Sequence, residues 1–169
     1  MRRVTKRTWL GWVLALSTIA VYAGAAETTL LHKQAPQIVR RDLSGRVVNL
    51  RANRGKVVLL NFWATWCAPC QVELPRFESW QKQYGAQGFG VIAISMDDDP
   101  GPVRKLVHKL GLDFPVAMGD AALGERYGGV LGLPVTLLIA RDGTVVARWQ
   151  GETPLAGMEE QIKQQLAGR

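Results

Sequence analysis

Val57-Val58-Leu59-Leu60-Asn61-Phe62-Trp63 runs without a charge, and just beyond Ala64 and Thr65 the segment Trp66-Cys67-Ala68-Pro69-Cys70 holds both cysteines of the chain. The apolar run predicts a strand, Lys56 to Trp63, buried on both faces, and the segment from about Ala68 to Tyr84 predicts a helix. A thiol at the start of that helix meets the positive end of the macrodipole and N–H groups that lack intrahelical partners. Its thiolate is therefore stabilised near neutral pH. The second thiol lies one turn on, close enough to resolve a mixed disulfide on the first. Two thiols so placed make a redox couple. Half of a zinc site is the competing reading, but zinc takes four N or S ligands and His32 and His108 stand isolated elsewhere in the chain, so no metal site is assigned.

Outward from this centre, 169 residues with 47% hydrophobic content suffice for one globular unit with a real core. Residues 1–7 carry Arg2, Arg3, Lys6 and Arg7, and an uncharged stretch from Thr8 to Ala26 follows, ending Ala23-Gly24-Ala25-Ala26. That arrangement is an export signal with cleavage expected after Ala25, or a retained N-terminal membrane anchor, because the stretch is near the roughly 17–25 residues a span needs. Residues 1–26 are thus the targeting segment, 27–35 a polar linker, and 36–169 the folded domain. The chain's net charge of +7 falls to +3 once those four leader cations are set aside, so nucleic acid is not an expected partner. A residual basic cluster, Lys33, Arg40, Arg41, Arg46, Arg51, Arg54 and Lys56 around Asp42, is read as a solvated hairpin face, with a site for an acidic partner as the alternative.

Gln37–Arg40 and Arg46–Leu50 flank Asp42-Leu43-Ser44-Gly45, which predicts a β-hairpin. In the helix that starts at Ala68, Val72, Phe77 and Trp80 are expected to face a core, and Pro75 to kink it by removing one backbone donor. Phe89–Ser95 predicts a second buried strand, parallel to the first across a right-handed crossover. Asp97-Asp98-Asp99-Pro100 is expected to cap a further helix with Val103, Leu106, Val107 and Leu110 at helical spacing. A short strand at Phe114–Val116, a small helix at Ala121–Tyr127, a strand after Gly132-Leu133-Pro134, an Asp142-Gly143 turn, a strand at Val145–Gln150 and a closing helix over Pro154–Leu166 complete the pattern. Parallel strands early and an antiparallel hairpin late give a mixed α/β sandwich.

With Trp66-Cys67-Ala68-Pro69-Cys70 after a central strand and Gly132-Leu133-Pro134 before a hairpin, the chain resembles the thioredoxin fold. Asn61-Phe62-Trp63-Ala64-Thr65-Trp66-Cys67-Ala68-Pro69-Cys70, continued by Gln71-Val72-Glu73-Leu74-Pro75, matches the C-x-x-C-x-x-E-x-P pattern of its extracytoplasmic TlpA/ResA/CcmG-like branch. The resemblance covers roughly Ala35 to Leu166. The 64 positions from Cys70 to Pro134 leave room for the extra helix and strand that this branch inserts. It implies a three-layer α/β sandwich with an N-terminal β-hairpin and a central βα insertion.

By the same resemblance, Cys67 is the exposed attacking thiol and Cys70 the buried resolving one. Glu73, one turn beyond Cys70, tunes the dithiol, and Pro134 is the cis-proline facing it, with Trp66, Pro69 and Leu133 completing a substrate groove. Asn61 stands where plain thioredoxin carries a buried aspartate, which leaves proton transfer at Cys70 to Glu73. Val135 follows Pro134 where CcmG-like sequences carry Glu. The implied activity is that of a thiol-disulfide oxidoreductase, reducing disulfides in exported proteins and recharged by a membrane thiol electron donor, with no cofactor. A peroxiredoxin-like peroxidase lacks its P-x-x-x-T-x-x-C loop here, and a CxxC copper carrier lacks a nearby His or Met.

Overall fold

The computed structural model describes residues 30–130 and 132–168; the targeting segment expected over 1–26 lies outside them. Its centre is the strand β3, as we number the elements in chain order: β1 (Val39–Arg41), β2 (Val47–Asn49), β3 (Val57–Trp63), α1 (Ala68–Tyr84), β4 (Phe89–Ser95), α2 (Pro100–Leu110), β5 (Val116–Met118), α3 (Ala121–Arg126), β6 (Val135–Ile139), β7 (Val145–Gln150) and α4 (Leu155–Ala167). The main sheet has the order β5-β4-β3-β6-β7. β3 pairs parallel with β4 and antiparallel with β6. With a strand on each edge and a layer on each face, all seven of its residues are buried, which accounts for a run without charge and apolar but for Asn61.

Side chains alternate across β3 and sort the core into two halves. Leu59 and Trp63 point to the face covered by α1 and α4, where they meet Leu74, Phe77, Trp80, Met158 and Ile162. Leu60 and Phe62 point to the other face, against Ile38, Leu123 and Tyr127. The crossovers β3-α1-β4 and β4-α2-β5 step in the same direction along the sheet, so both helices cover one face. The result is the three-layer sandwich expected, with α2 and β5 as the inserted βα unit.

Three local expectations are adjusted. The hairpin β1–β2 is shorter than its apolar flanks mainly at the end away from the turn, because Asn49 caps a 3-10 helix that begins at Leu50. The fifth strand begins at Val116 instead of Phe114: Pro115 has no N–H to give to a ladder, although its carbonyl accepts from Ala93. Helix α1 passes through Pro75 without a break. Val72, expected in the core, is 70% exposed, whereas Glu73 beside it is 4% exposed. The buried stripe of α1 is Cys70, Glu73, Leu74, Phe77, Glu78, Trp80 and Tyr84, so it carries two carboxylates that a hydrophobicity pattern passes over.

Backbone pairing begins ahead of Pro36, the expected start of ordered structure. His32 N donates to Val145 O, Val145 N to Lys33 O, and Ala35 N to Gly143 O. The chain therefore enters the domain along the start of β7.

Candidate active site

Both cysteines sit where β3 hands over to α1. Cys67 is the N-cap of α1 and Pro69 lies in its first turn, where the missing N–H of proline costs nothing. The two sulfurs form a disulfide of 2.01 Å with Cα atoms 5.3 Å apart, and Cys67 Sγ accepts from Cys70 N at 3.3 Å. A sulfur already taking an N–H at a helix start is in the environment that stabilises a thiolate. Cys67 is 5% exposed and Cys70 1%. The expectation of an openly exposed Cys67 is thus corrected. As N-cap its sulfur folds back over the first turn, and it is only the more open of two nearly covered atoms.

The loop before the dithiol is held from three sides. Thr65 N donates to Asp97 Oδ2 at 2.9 Å and Thr65 Oγ1 to Asp97 Oδ1 at 2.5 Å, while Thr65 O accepts from Gln71 Nε2 at 2.7 Å. Ser95 Oγ donates to Asp97 Oδ2, and Met96 N to Trp63 O, which locks the ends of β3 and β4 together. Only Asp99 of the acidic triplet caps α2, accepting from Gly101 N. Asp97 was expected to join that cap and instead turns to the dithiol loop. Its partner lies 32 positions earlier in the chain, a relationship with no local signal.

Glu73 is buried and neither of its carboxylate oxygens has a hydrogen-bond partner. Burial, and next the like charge of Glu152, push its carboxyl up to about 7. The two acids line one groove of about 460 Å³ with Ala68, Pro69, Val72, Thr153 and Leu155. A carboxyl that titrates near neutrality one turn from Cys70 can give or take a proton under the conditions of thiol exchange. Glu152 was not singled out from the sequence; it stands in the loop between β7 and α4, and only the fold brings it to the groove.

Asn61 is 1% exposed and points to the α1 face of β3, with Nδ2 donating to Thr136 Oγ1 at 2.9 Å. No acid occupies that position. The Leu133–Pro134 peptide is cis, and Pro134 leads into β6, whose Val135 pairs with Phe62 at the dithiol end of β3. Pro134 O accepts from Gly151 N, tying this loop to the one that carries Glu152. Trp66 is 71% exposed, and with the exposed Val72 it places apolar surface beside the dithiol. Among the described residues no group of three or more His, Cys, Asp or Glu side chains could hold a metal ion, and no helix is long and apolar enough to cross a membrane.

Comparison with known proteins agrees with this geometry. The family model Redoxin matches residues 31–166. A thiol-disulfide oxidoreductase ResA of Bacillus cereus is 35% identical over 142 residues, covering 84% of this chain and 82% of the relative. The ResA of Bacillus subtilis is 35% identical over 128 residues, covering 75% of this chain and 70% of its own. Among solved structures, a thiol:disulfide interchange protein of the thioredoxin family from Chlorobium tepidum superposes with a TM-score of 0.73 at 27% identity, covering 79% of this chain and 96% of that one.

Proposed function

The chain belongs to the Redoxin family as a thiol-disulfide oxidoreductase of the ResA kind, and from that premise we propose that it reduces disulfides of exported proteins, apocytochrome c among the candidate clients, outside the cytoplasm. The observation that carries this reading is the Cys67–Cys70 disulfide at the start of α1 with the buried, unpartnered Glu73 one turn beyond. The Ala68-Pro69 dipeptide adds no basic group to stabilise the Cys67 thiolate further, which favours a reducing couple over a strongly oxidising one.

In the reduced protein, the Cys67 thiolate attacks one sulfur of the client disulfide. The client's other sulfur leaves as a thiolate, and a mixed disulfide joins Cys67 to the client. Glu73 as carboxylate then takes the proton of Cys70. The Cys70 thiolate attacks Cys67 Sγ, expels the second client thiolate and closes the intramolecular disulfide. Two electrons pass to the client; one of its thiolates takes the Cys70 proton held on Glu73 and the other takes a proton from water, so that both sulfurs end as thiols. Trp66 and Pro69 flank the attacked bond, and the Leu133–Pro134 loop offers the backbone of Leu133 for strand-like pairing with the client. A membrane thiol donor recharges the dithiol by the reverse exchange.

The leader fits this placement. Cleavage after Ala25 leaves a protein beginning at Ala26; retention leaves an anchored one. N-terminal sequencing of the exported protein separates the two. Insulin reduction, peroxide consumption and copper binding, measured on one preparation, test the activity. Catalysed insulin reduction without peroxide turnover is the expected result, and peroxide turnover or tight copper binding without reductase activity would replace the reading.

A further inference from the structure

The basic cluster noted in the sequence is not used by the dithiol chemistry, and the fold divides it. Arg40 pairs with Asp120 and Arg46 with Asp42, which accounts for two of its members. Lys33, Arg51, Arg54 and Lys56, joined by Arg141, form no ion pair among the described residues. Arg54 Nη2 donates to Gln34 Oε1, and Arg141 donates to the carbonyls of Gly55 and Gln87, so both guanidinium groups are fixed by neutral hydrogen-bond partners, and the Asp142 carboxylate acts on Arg54 only through its field.

Topology gathers these five cations at one end of the sheet. Lys56 immediately precedes β3, Arg51 and Arg54 stand in the turn just before it, Arg141 is in the β6–β7 turn, and Lys33 pairs with the first residue of β7. β3 runs away from them towards Cys67, so seven residues of strand put the cluster roughly 20 Å from the dithiol. A cavity of about 310 Å³ opens among Gln34, Gln37, Arg51, Asn53, Arg54 and Lys56. Asp142 is the one carboxylate on these turns; its oxygens accept from Thr144 N and Oγ1, and its single charge offsets part of that of Arg54, leaving the cations in excess. Asp97, Asp98, Asp99 and Glu152 lie towards the opposite, dithiol end. The five cations therefore stand at the end of the sheet opposite the dithiol.

The chain from residue 30 enters the domain at the basic end, through the pairing of His32 and Lys33 with Val145. The preceding sequence contains the uncharged stretch of residues 8–26. We propose that the basic end is a docking surface for anionic phospholipid head groups, seating the domain on the bilayer with the dithiol directed away from it. The inference rests on the extracytoplasmic reading above. It holds for a cleaved or an anchored protein, because the charges belong to the folded domain. Arg51, Arg54 and Lys56 around a cavity match phosphate in charge and fork geometry. A protein partner with an acidic face is the other occupant this charge would accept.

The test uses the chain from Ala26 onward, the form that cleavage after Ala25 leaves. Binding to vesicles of phosphatidylcholine with one quarter phosphatidylglycerol is compared by sedimentation with binding to phosphatidylcholine alone. The protein is expected to bind only the anionic vesicles and to be released by 0.5 M salt, used here as a round value well above the roughly 0.15 M at which the screening length is already about 8 Å. Lys33→Gln/Arg51→Gln/Lys56→Gln removes three side chains that hold nothing else in the fold. It is expected to weaken binding at least ~10-fold, since each basic residue near an anionic surface contributes roughly fivefold. Insulin reduction by the same variant should match the parent. Equal binding to both vesicles, unchanged binding by the triple variant, or failure to bind anionic vesicles would each overturn the proposal. Loss of reductase activity in the parent protein would instead count against the oxidoreductase reading and leave the binding result standing.

Discussion

Asp97 holds Thr65 by both its backbone N–H, at 2.9 Å, and its hydroxyl, at 2.5 Å, so a residue two positions past the end of β4 fixes the turn leading into Cys67. The contact crosses between adjacent parallel strands, and Ser95 Oγ completes it. Without it, the turn from Ala64 to Trp66 would be positioned mainly by Gln71 and by the helix it enters.

Asp97→Ala is expected to destabilise the oxidised protein by about 1.5–3 kcal/mol, the usual range for hydrogen bonds to a charged group. Asp97→Asn keeps one acceptor for Thr65 and should lose less. Urea unfolding of the two variants measures the difference, and the rate of reaction of Cys67 with a small disulfide should fall in the same order. Equal stability in all three proteins would remove Asp97 from the account.

Glu73→Gln should keep the fold and both thiols and abolish the inflection near pH 7 in the resolving step, because an amide cannot carry the proton. A rate loss of roughly 10- to 100-fold is expected where one general acid or base contributes 10²–10⁴ and water substitutes in part. Stopped-flow exchange from pH 5 to 9, a round window spanning raised carboxyls and thiols, reads it out.

The same carboxyl links stability to pH. Its folded pKa of about 7 stands above the ordinary glutamate value of 4.5, so the proton-bound form favours the fold; that contribution is complete below pH 4.5 and is lost as pH rises through 7. Glu73→Gln should therefore be more stable than the parent at pH 8, by about 1–2 kcal/mol after allowing for solvent in the groove, and equal to it at pH 4. Glu152→Gln should lower the inflection by less than one unit, since burial is the larger cause.

Trp66→Ala should raise the KM for a protein disulfide several-fold and leave reaction with a small disulfide within about twofold, because an exposed aromatic side chain of this kind contributes through the apolar area it covers on a partner. Insulin and an aromatic small-molecule disulfide, assayed side by side, separate the two effects.

The architecture was legible wherever a residue's role is local. The uncharged, mostly apolar β3 and β4, the Asp142-Gly143 turn and the helix starting at Ala68 each carry their own periodicity or turn chemistry. Val72 and Glu73 reversed the pattern because the fold exposes an apolar side chain beside the dithiol and buries an acid behind it, and a hydrophobicity reading assumes the opposite. Resemblance pointed to Glu73 where periodicity could not. Asp97 and Glu152 escaped both, since each meets the site through a contact between segments far apart in the chain. The basic cluster was visible as composition, but which cations keep their charge depended on Asp42 and Asp120, which only the fold places.

The division of labour between the two thiols is the centre of this account, and trapping tests it most directly. Cys70→Ala should accumulate mixed disulfides with clients through Cys67, because the helix-capping sulfur attacks and nothing resolves it; Cys67→Ala should trap few. Equal trapping by the two variants, or trapping mainly through Cys70, would contradict it.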